Sequence, residues 1–279
     1  MKATTLKGAG IGLRSEHYQS ILENQPNTPW FEVLTDNYMA EGGLPLYHLE
    51  KVREHYPISF HGVGLSLGST DPLNMKYLEK LKRLIERFQP EQVSDHLSWV
   101  SVNNHYAHDL LPFPYTGEAI NIIAKKINQV QDYLGRRLIV ENPSTYLDFN
   151  CSEMSEPEFI IELINATDCE LLMDVNNIYV SASNHHFDAE HYIKQIPADK
   201  VKEIHLAGYE DRGTHLYDTH GSRIHDEVWA LYEKALHNFG DAPTLIEWDS
   251  DIPAFNVLQE EAAKAQTYLD QLAALEKSA

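Results

Sequence analysis

The stretch RLIVEN, residues 137–142, decides the fold. A short apolar, β-branched run ends on a carboxylate, Glu141, followed by Asn142. It lies between two segments of helical period. In the first, 116–134, Ile120, Ile123, Ala124 and Ile127 fall on one face. The second spans 156–166. Reading outward, the same plan recurs: PISF runs into His61, QVSD into His96, ELLM into Asp174, VKEI into His205 and PTLI into Glu247. FEVLT leads to Asp36, a weaker member. Eight β-type runs emerge, at 8–13, 30–35, 58–64, 92–100, 137–142, 170–176, 201–208 and 243–249. Helical stretches separate them near 15–24, 45–55, 74–89, 116–134, 156–166, 188–195 and 225–239, with a last one at about 253–275. Ser15 with Glu16, and Asp188 with Glu190, supply N-caps ahead of acidic first turns.

Strands that alternate with helices pair in parallel through right-handed crossovers. Eight such units with no long break predict an α/β fold, a single (β/α)8 TIM barrel of the xylose isomerase-like type over residues 1–279. An open doubly wound sheet would gather its site at one switch point from two or three loops. A barrel gathers it from the C-terminal ends of many strands, which is where the His and carboxylate residues stand. Segments 101–115, 143–155, 177–187 and 209–224 read as long loops walling that face, exceeding the usual roughly 2–6 residues.

The bulk properties narrow the function. The chain has 279 residues, 43% hydrophobic and 23% charged, as in ordinary globular proteins. Its net charge of −20 opposes a phosphate backbone, so nucleic acid is not expected as a partner. No apolar run approaches the roughly 18 residues of a membrane span, and the N-terminus lacks a signal-peptide core. Two cysteines, Cys151 and Cys169, make no disulfide framework, so a cytoplasmic location is expected. The glycines of GAGIG, at 8, 10 and 12, miss the dinucleotide-binding spacing and read as close backbone packing in a first strand.

A single histidine such as His61 is more often a hydrogen-bonded core residue than a ligand. Glu141, Asp174 and Glu247 buried together are another matter, because burying their charge without cations is costly. Of the basic residues, only Arg14 follows a strand, so metal ions are the natural counter-charges. Imidazole and carboxylate without thiolate suit iron, zinc or manganese. Glu141 and Glu247 are candidates to bridge two ions. In the loop after the seventh strand, Asp218 and His220 of YDTHG could reach the same mouth. Asn142 and Asn177 could ligate or orient a neighbour. His105 and His108 form an HxxH pair in a loop expected to be solvated, and His17, His48, His55 and His237 read as solvated helix residues.

Seven segments in order, SFHGVGLSLG (59–68), SDHLSW (94–99), VENPSTY (140–146), MDVNNIYVSA (173–182), IHLAGY (204–209), YDTHG (217–221) and IEWD (246–249), carry a family resemblance. Across essentially its whole length the chain resembles the multinuclear non-heme iron-dependent oxidative enzymes, the family of the methanobactin biosynthesis oxidase. That resemblance implies a TIM barrel with two or three iron ions that uses dioxygen to modify cysteine residues of a ribosomally synthesised peptide. It further implies a second protein that presents the peptide. It casts His61, His96, Glu141, Asp174, His205 and Glu247 as ligands of a main pair, and Asn177, Asp218 and His220 as ligands of a third position. Asp36 and Asn142 stand as residues behind the metals, and no catalytic acid or base is singled out. The alternative on the same architecture is a metal-dependent hydrolase or isomerase like endonuclease IV or xylose isomerase. A nuclease would need a basic groove, and a sugar isomerase usually a strand-end lysine; neither is evident.

Overall fold

A computed structural model describes residues 6–103 and 105–278, except for the side chains of His108, Glu276 and Ser278. The eight runs become eight parallel strands: β1 (Ala9–Gly12), β2 (Phe31–Leu34), β3 (Ile58–Gly62), β4 (Gln92–His96), β5 (Ile139–Glu141), β6 (Glu170–Asp174), β7 (Val201–Leu206) and β8 (Thr244–Ile246). Each pairs with the next, and β8 closes on β1 through Ala9–Thr244, Gly10–Leu245 and Ile11–Ile246. The expected closed barrel is present.

The helices sit outside, each with one apolar face on the strands. The helix Met75–Phe88 shows how: Leu78, Leu81, Leu84 and Phe88 recur at helical spacing and are buried, and the Asn74 side chain caps its start by accepting from the Tyr77 amide at 3.2 Å. Outward-facing Phe60, Val93 and Ile204 meet that layer and are fully or almost fully buried. Inward positions are unusually polar. Ser59 and His61 on β3, Ser94 and His96 on β4, and Glu203 and His205 on β7 alternate with those apolar residues, as a period of two requires. A TIM barrel is ordinarily filled with branched apolar side chains, so this interior is committed to something other than packing. The GAGIG glycines do pack closely: a Cβ on Gly10 would lie 2.4 Å from the Trp30 ring.

Four expectations need correction. Residues 177–187 are no loop; the helix Val175–His185 begins directly after β6. Its sequence is rich in Asn, Ser and β-branched residues, poor helix formers, and burial of Val175, Ile178, Val180 and Ala182 overrides that preference. The run 92–100 is two strands: β4 stops at His96, and Trp99–Val102 pairs antiparallel with His105–Leu111, so the segment 101–115 is largely a hairpin. A smaller ladder, Glu210–Asp211 with Leu216–Tyr217, occupies part of 209–224. Finally, His17 is buried rather than solvated, its Nε2 2.8 Å from the Pro253 carbonyl. His105 is exposed as expected, whereas the His108 side chain lies outside the described set.

Candidate metal centre

Strand register gathers the mouth. His61 lies beside Ser94, His96 beside Glu141, and Asp174 beside His205. All four of His61, Glu141, Asp174 and His205 are at most 1% exposed. Among the described residues, four groups place His or carboxylate ligand atoms within 4.8 Å of one another. These are His61–His96–Glu141, Glu141–Asp174–His205–Glu247, His220–Glu247–Asp249 and Glu32–Glu203–His205. Glu141 belongs to two groups, and so does Glu247; these two carboxylates link the first three into a chain.

Hydrogen bonds fix the imidazole orientations. His96 Nδ1 is 3.0 Å from the Gly62 carbonyl, which can only accept, so that nitrogen carries the proton. His61 Nδ1 is 2.7 Å from Ser94 Oγ, whose own hydroxyl donates to the Phe60 carbonyl at 3.3 Å. In its neutral form each ring therefore turns a bare Nε2 toward Glu141 Oε2, at 3.0 Å from His61 and 3.2 Å from His96. These close approaches lack hydrogen-bond geometry: Glu141 Oε2 is buried without a partner, as are Asp174 Oδ2, Asn177 Oδ1 and His220 Nε2. Lone pairs that face each other about 3 Å apart repel, unless a proton or a metal ion lies between them. Donor atoms bound to one ion at about 2.1 Å, roughly at right angles, are spaced in just this way. The donor set therefore fits metal ions.

Without metal the cluster balances charge by protonation. Burial, the largest influence on His61, disfavours its charge, but Glu32 and Glu141 outweigh it and push the pKa up to about 10. Burial likewise raises Glu141, yet His96 and His61 overcome it and hold the carboxyl down at about 2. Burial dominates at Asp174 and raises it well above the carboxylate range. Burial lowers His96. Without metal, protons on His61, His205, His220 and Asp174 thus stand in for cations at the mouth.

The other sequence-identified residues take distinct places. Asp174 ends β6 and caps the following helix, its Oδ1 accepting from the Asn177 amide at 2.6 Å; Oδ2 is left for the mouth. Asn177 directs Nδ2 to the Asn142 carbonyl at 3.1 Å, with Glu141 Oε1 at 3.5 Å. Asn142 uses both amide atoms on the backbone of Asp174, donating to its carbonyl and accepting from its amide at 3.1 and 2.9 Å. It clamps β5 to β6. Asp36 accepts from the Val63 amide at 3.1 Å and the Tyr77 hydroxyl at 3.0 Å, which ties down the loop after β3. It belongs to none of the four groups. His220 Nε2 sits 2.6 Å from Asp218 Oδ1, while its Nδ1 is 3.2 Å from both Glu247 Oε2 and Asp249 Oδ2.

Three residues escaped the sequence reading. Asp249 stands two positions past Glu247, and a period of two would have placed it on the same side. Glu32 and Glu203 lie inside strands rather than at their ends; His205 Nε2 is 3.2 Å from Glu32 and 3.4 Å from Glu203. Their signal was a carboxylate inside an otherwise apolar run. Above the mouth is a cavity of about 190 Å³, walled by Asp109 and Leu110 of the hairpin, Tyr146, and Tyr217 with Asp218. The Asp218 amide donates to Tyr146 Oη at 3.0 Å, pinning two of these walls together.

Solved structures of similar shape share the fold at low sequence identity. An L-ribulose 3-epimerase aligns with a TM-score of 0.62 at 14% identity, covering 98% of this chain and 97% of its own. Endonuclease IV from Thermus thermophilus gives 0.59 at 14%, covering 97% and 99%. A xylose isomerase-like TIM barrel protein from Mycobacterium smegmatis, solved with magnesium, gives 0.60 at 11%, covering 98% and 99%. Sequence relatives are far nearer. A UPF0276 protein of Acaryochloris marina is 56% identical over 96% of this chain and 97% of its own length. Another from an Anaeromyxobacter species is 46% identical over 98% and 97%. Residues 8–270 match the model of the RiPP precursor modification enzymes MbnB/TglH/ChrH, and the chain belongs to that family of enzymes acting on ribosomally made precursor peptides.

Proposed function

We propose that the chain is a multinuclear non-heme iron oxidase that uses dioxygen to modify cysteine residues of a ribosomally synthesised peptide. The observation that carries this reading is the chain of three ligand groups linked by the two shared carboxylates, Glu141 and Glu247. His61, His96 and Glu141 would hold one ion; Glu141, Asp174, His205 and Glu247 a second; His220 and Glu247, with Asp218, Asp249 and Asn177 beside them, a third. Iron bound there would supply one-electron redox chemistry with dioxygen and a Lewis-acidic position for a cysteine thiolate. An all-nitrogen-and-oxygen donor set suits iron and is compatible with zinc or manganese.

The protein's own contribution is positional. Ser94 and the Gly62 carbonyl hold the two imidazoles in one tautomer. Glu32 stands behind His205 Nε2 and keeps that ring's proton away from the mouth. Asn142 and Asn177 lock β5, β6 and the following helix together, which fixes Glu141 against Asp174. Tyr146, Tyr217 and Leu110 narrow the entrance and limit water. The family resemblance adds a protein that presents the peptide. Two free cysteines, one exposed and one buried, fit work in the cytoplasm.

Anaerobic purification followed by metal quantification, with Mössbauer and EPR spectra, tests this reading. Two or more irons per chain with a coupled mixed-valence signal, and dioxygen uptake with a cysteine-containing precursor peptide, are the expected results. Stoichiometric zinc, no gain in activity on iron loading and no dioxygen uptake would sink it.

A further inference from the structure

Residues 143–149 separate two cavities. Pro143, Ser144 and Tyr146 face the metal mouth, whereas Thr145, Leu147, Asp148 and Phe149 face a second cavity of about 460 Å³. At that cavity's inner end lies Glu156, 9% exposed, the first residue of the helix Glu156–Thr167. The Tyr192 hydroxyl donates to Glu156 Oε1 at 3.0 Å, and Tyr115 also hydrogen-bonds this carboxyl. Two phenols and a helix N-terminus favour a carboxylate, but they bring no full positive charge. Among the described residues no Lys or Arg lines the cavity; of its two histidines, His185 has Nδ1 3.2 Å from Asp148 and His191 lies beside Asp188, so neither is paired with Glu156.

The walls suit a cation with an apolar stem. Phe113 packs edge-on to Tyr115 at 5.9 Å, and Phe187 stacks on Tyr192 at 5.9 Å, so four aromatic rings are held in fixed orientations around the carboxylate. Leu147 at 51% exposure and Phe187 at 38% form an apolar rim open to solvent. An uncompensated buried carboxylate behind aromatic faces is a site for an ammonium or guanidinium group, which gains both ion pairing and cation–π attraction. The volume accommodates one long side chain. Burial pushes the Glu156 carboxyl up to about 7 against the two tyrosine hydrogen bonds, as expected of a carboxylate that lacks its cation.

We propose that this cavity is a subsite for a lysine or arginine side chain of the peptide substrate, its charge paired with Glu156 and its methylenes lying along Phe113, Tyr115 and Tyr192. The peptide as occupant rests on the proposed peptide-modifying function. Because residues 143–149 wall both cavities, a peptide whose basic residue is seated here would pass over Tyr146 and deliver a neighbouring residue to the mouth.

The test is calorimetric titration of metal-loaded protein with acetyl-Gly-Lys-Gly-amide, acetyl-Gly-Arg-Gly-amide, the norleucine counterpart and butylamine. The basic tripeptides should bind at least about tenfold more tightly than the norleucine peptide, and more tightly than butylamine. Glu156→Gln should reduce that preference to within about threefold. Should this variant melt early, NMR on the wild-type protein serves instead, with shifts expected at Tyr115 and Tyr192. Equal binding of the norleucine peptide, tightest binding of butylamine, an unchanged preference in Glu156→Gln, or shifts confined to Tyr146 and Tyr217 would each overturn the subsite. Binding is read without turnover, so a failed oxidase assay and a failed subsite remain distinguishable.

Discussion

Two polar layers share the interior of one barrel, and they handle buried charge in opposite ways. In the deep layer Glu203 accepts hydrogen bonds from Gln92 Nε2 at 2.7 Å and Ser59 Oγ at 3.2 Å, from strands across the barrel. Donors meet Glu203 Oε2 there, as in an ordinary buried polar network, while Glu203 Oε1 and Gln92 Oε1 have no hydrogen-bond partner. At the mouth two imidazole Nε2 atoms, bare when the rings are neutral, face one carboxylate oxygen, and Glu141 Oε2, Asp174 Oδ2 and Asn177 Oδ1 have no hydrogen-bond partner. The same residue types on the same strands are held mainly by hydrogen-bond donors in one layer and mainly face other ligand atoms in the other. His205 joins them, its Nδ1 3.0 Å from Glu247 at the mouth and its Nε2 3.2 Å from Glu32 below.

Substitution can break that contrast. Glu141→Ala removes the carboxylate common to two ligand groups, so metal per chain should fall by more than about tenfold and peptide modification should be lost; loss of even a supporting residue commonly costs about 10–100-fold. Elemental analysis of the purified variant checks this, and full occupancy would remove Glu141 from the ligand set. Chelation should act next most strongly. Stripping ions present at about 100 times their dissociation constant withdraws about 2.7 kcal/mol of stabilisation, which lowers the melting temperature of a chain of this size by about 5 °C. A melt insensitive to chelator would mean that the opposed lone pairs are not held together by metal.

Glu32→Gln probes the link between layers. Retaining shape while removing charge behind His205 should weaken metal affinity by about tenfold, with competitive chelator titration as the measurement. Glu203→Gln should do least. Gln92 and Ser59 donate to its Oε2, so metal content should stay within about twofold of the parent and stability within about 1–2 kcal/mol. A large loss of metal in this variant would extend the metal centre into the deep layer and erase the distinction.

Much of the site was legible because barrel architecture and ligand placement use the same positions. An apolar run of four residues ending in His, Asp or Glu marks both a strand and its C-terminal end, as RLIV before Glu141 and ELLM before Asp174 show. Asp249 was hidden in a turn-like IEWD ending, and Glu32 and Glu203 inside strands. The helix Val175–His185 was hidden because its residue types disfavour helices and its face pattern is blurred by burial on most sides. Asp36 illustrates the reverse: it follows a strand like the others, yet its hydrogen bonds go to Val63 and Tyr77.

The sequence by itself determined eight alternating units, hence a parallel barrel, and most of the side chains that stand at its mouth. Period-two alternation and strand ends are local properties, carried by a few neighbouring residues. Only the tertiary structure decided which atoms converge, which carboxylate is shared, which imidazole nitrogen is free, and that a separate anionic cavity lies behind residues 143–149. Those depend on register between strands distant in the chain, and on hydrogen bonds that a residue such as Ser94 or Gly62 makes only once the barrel has closed.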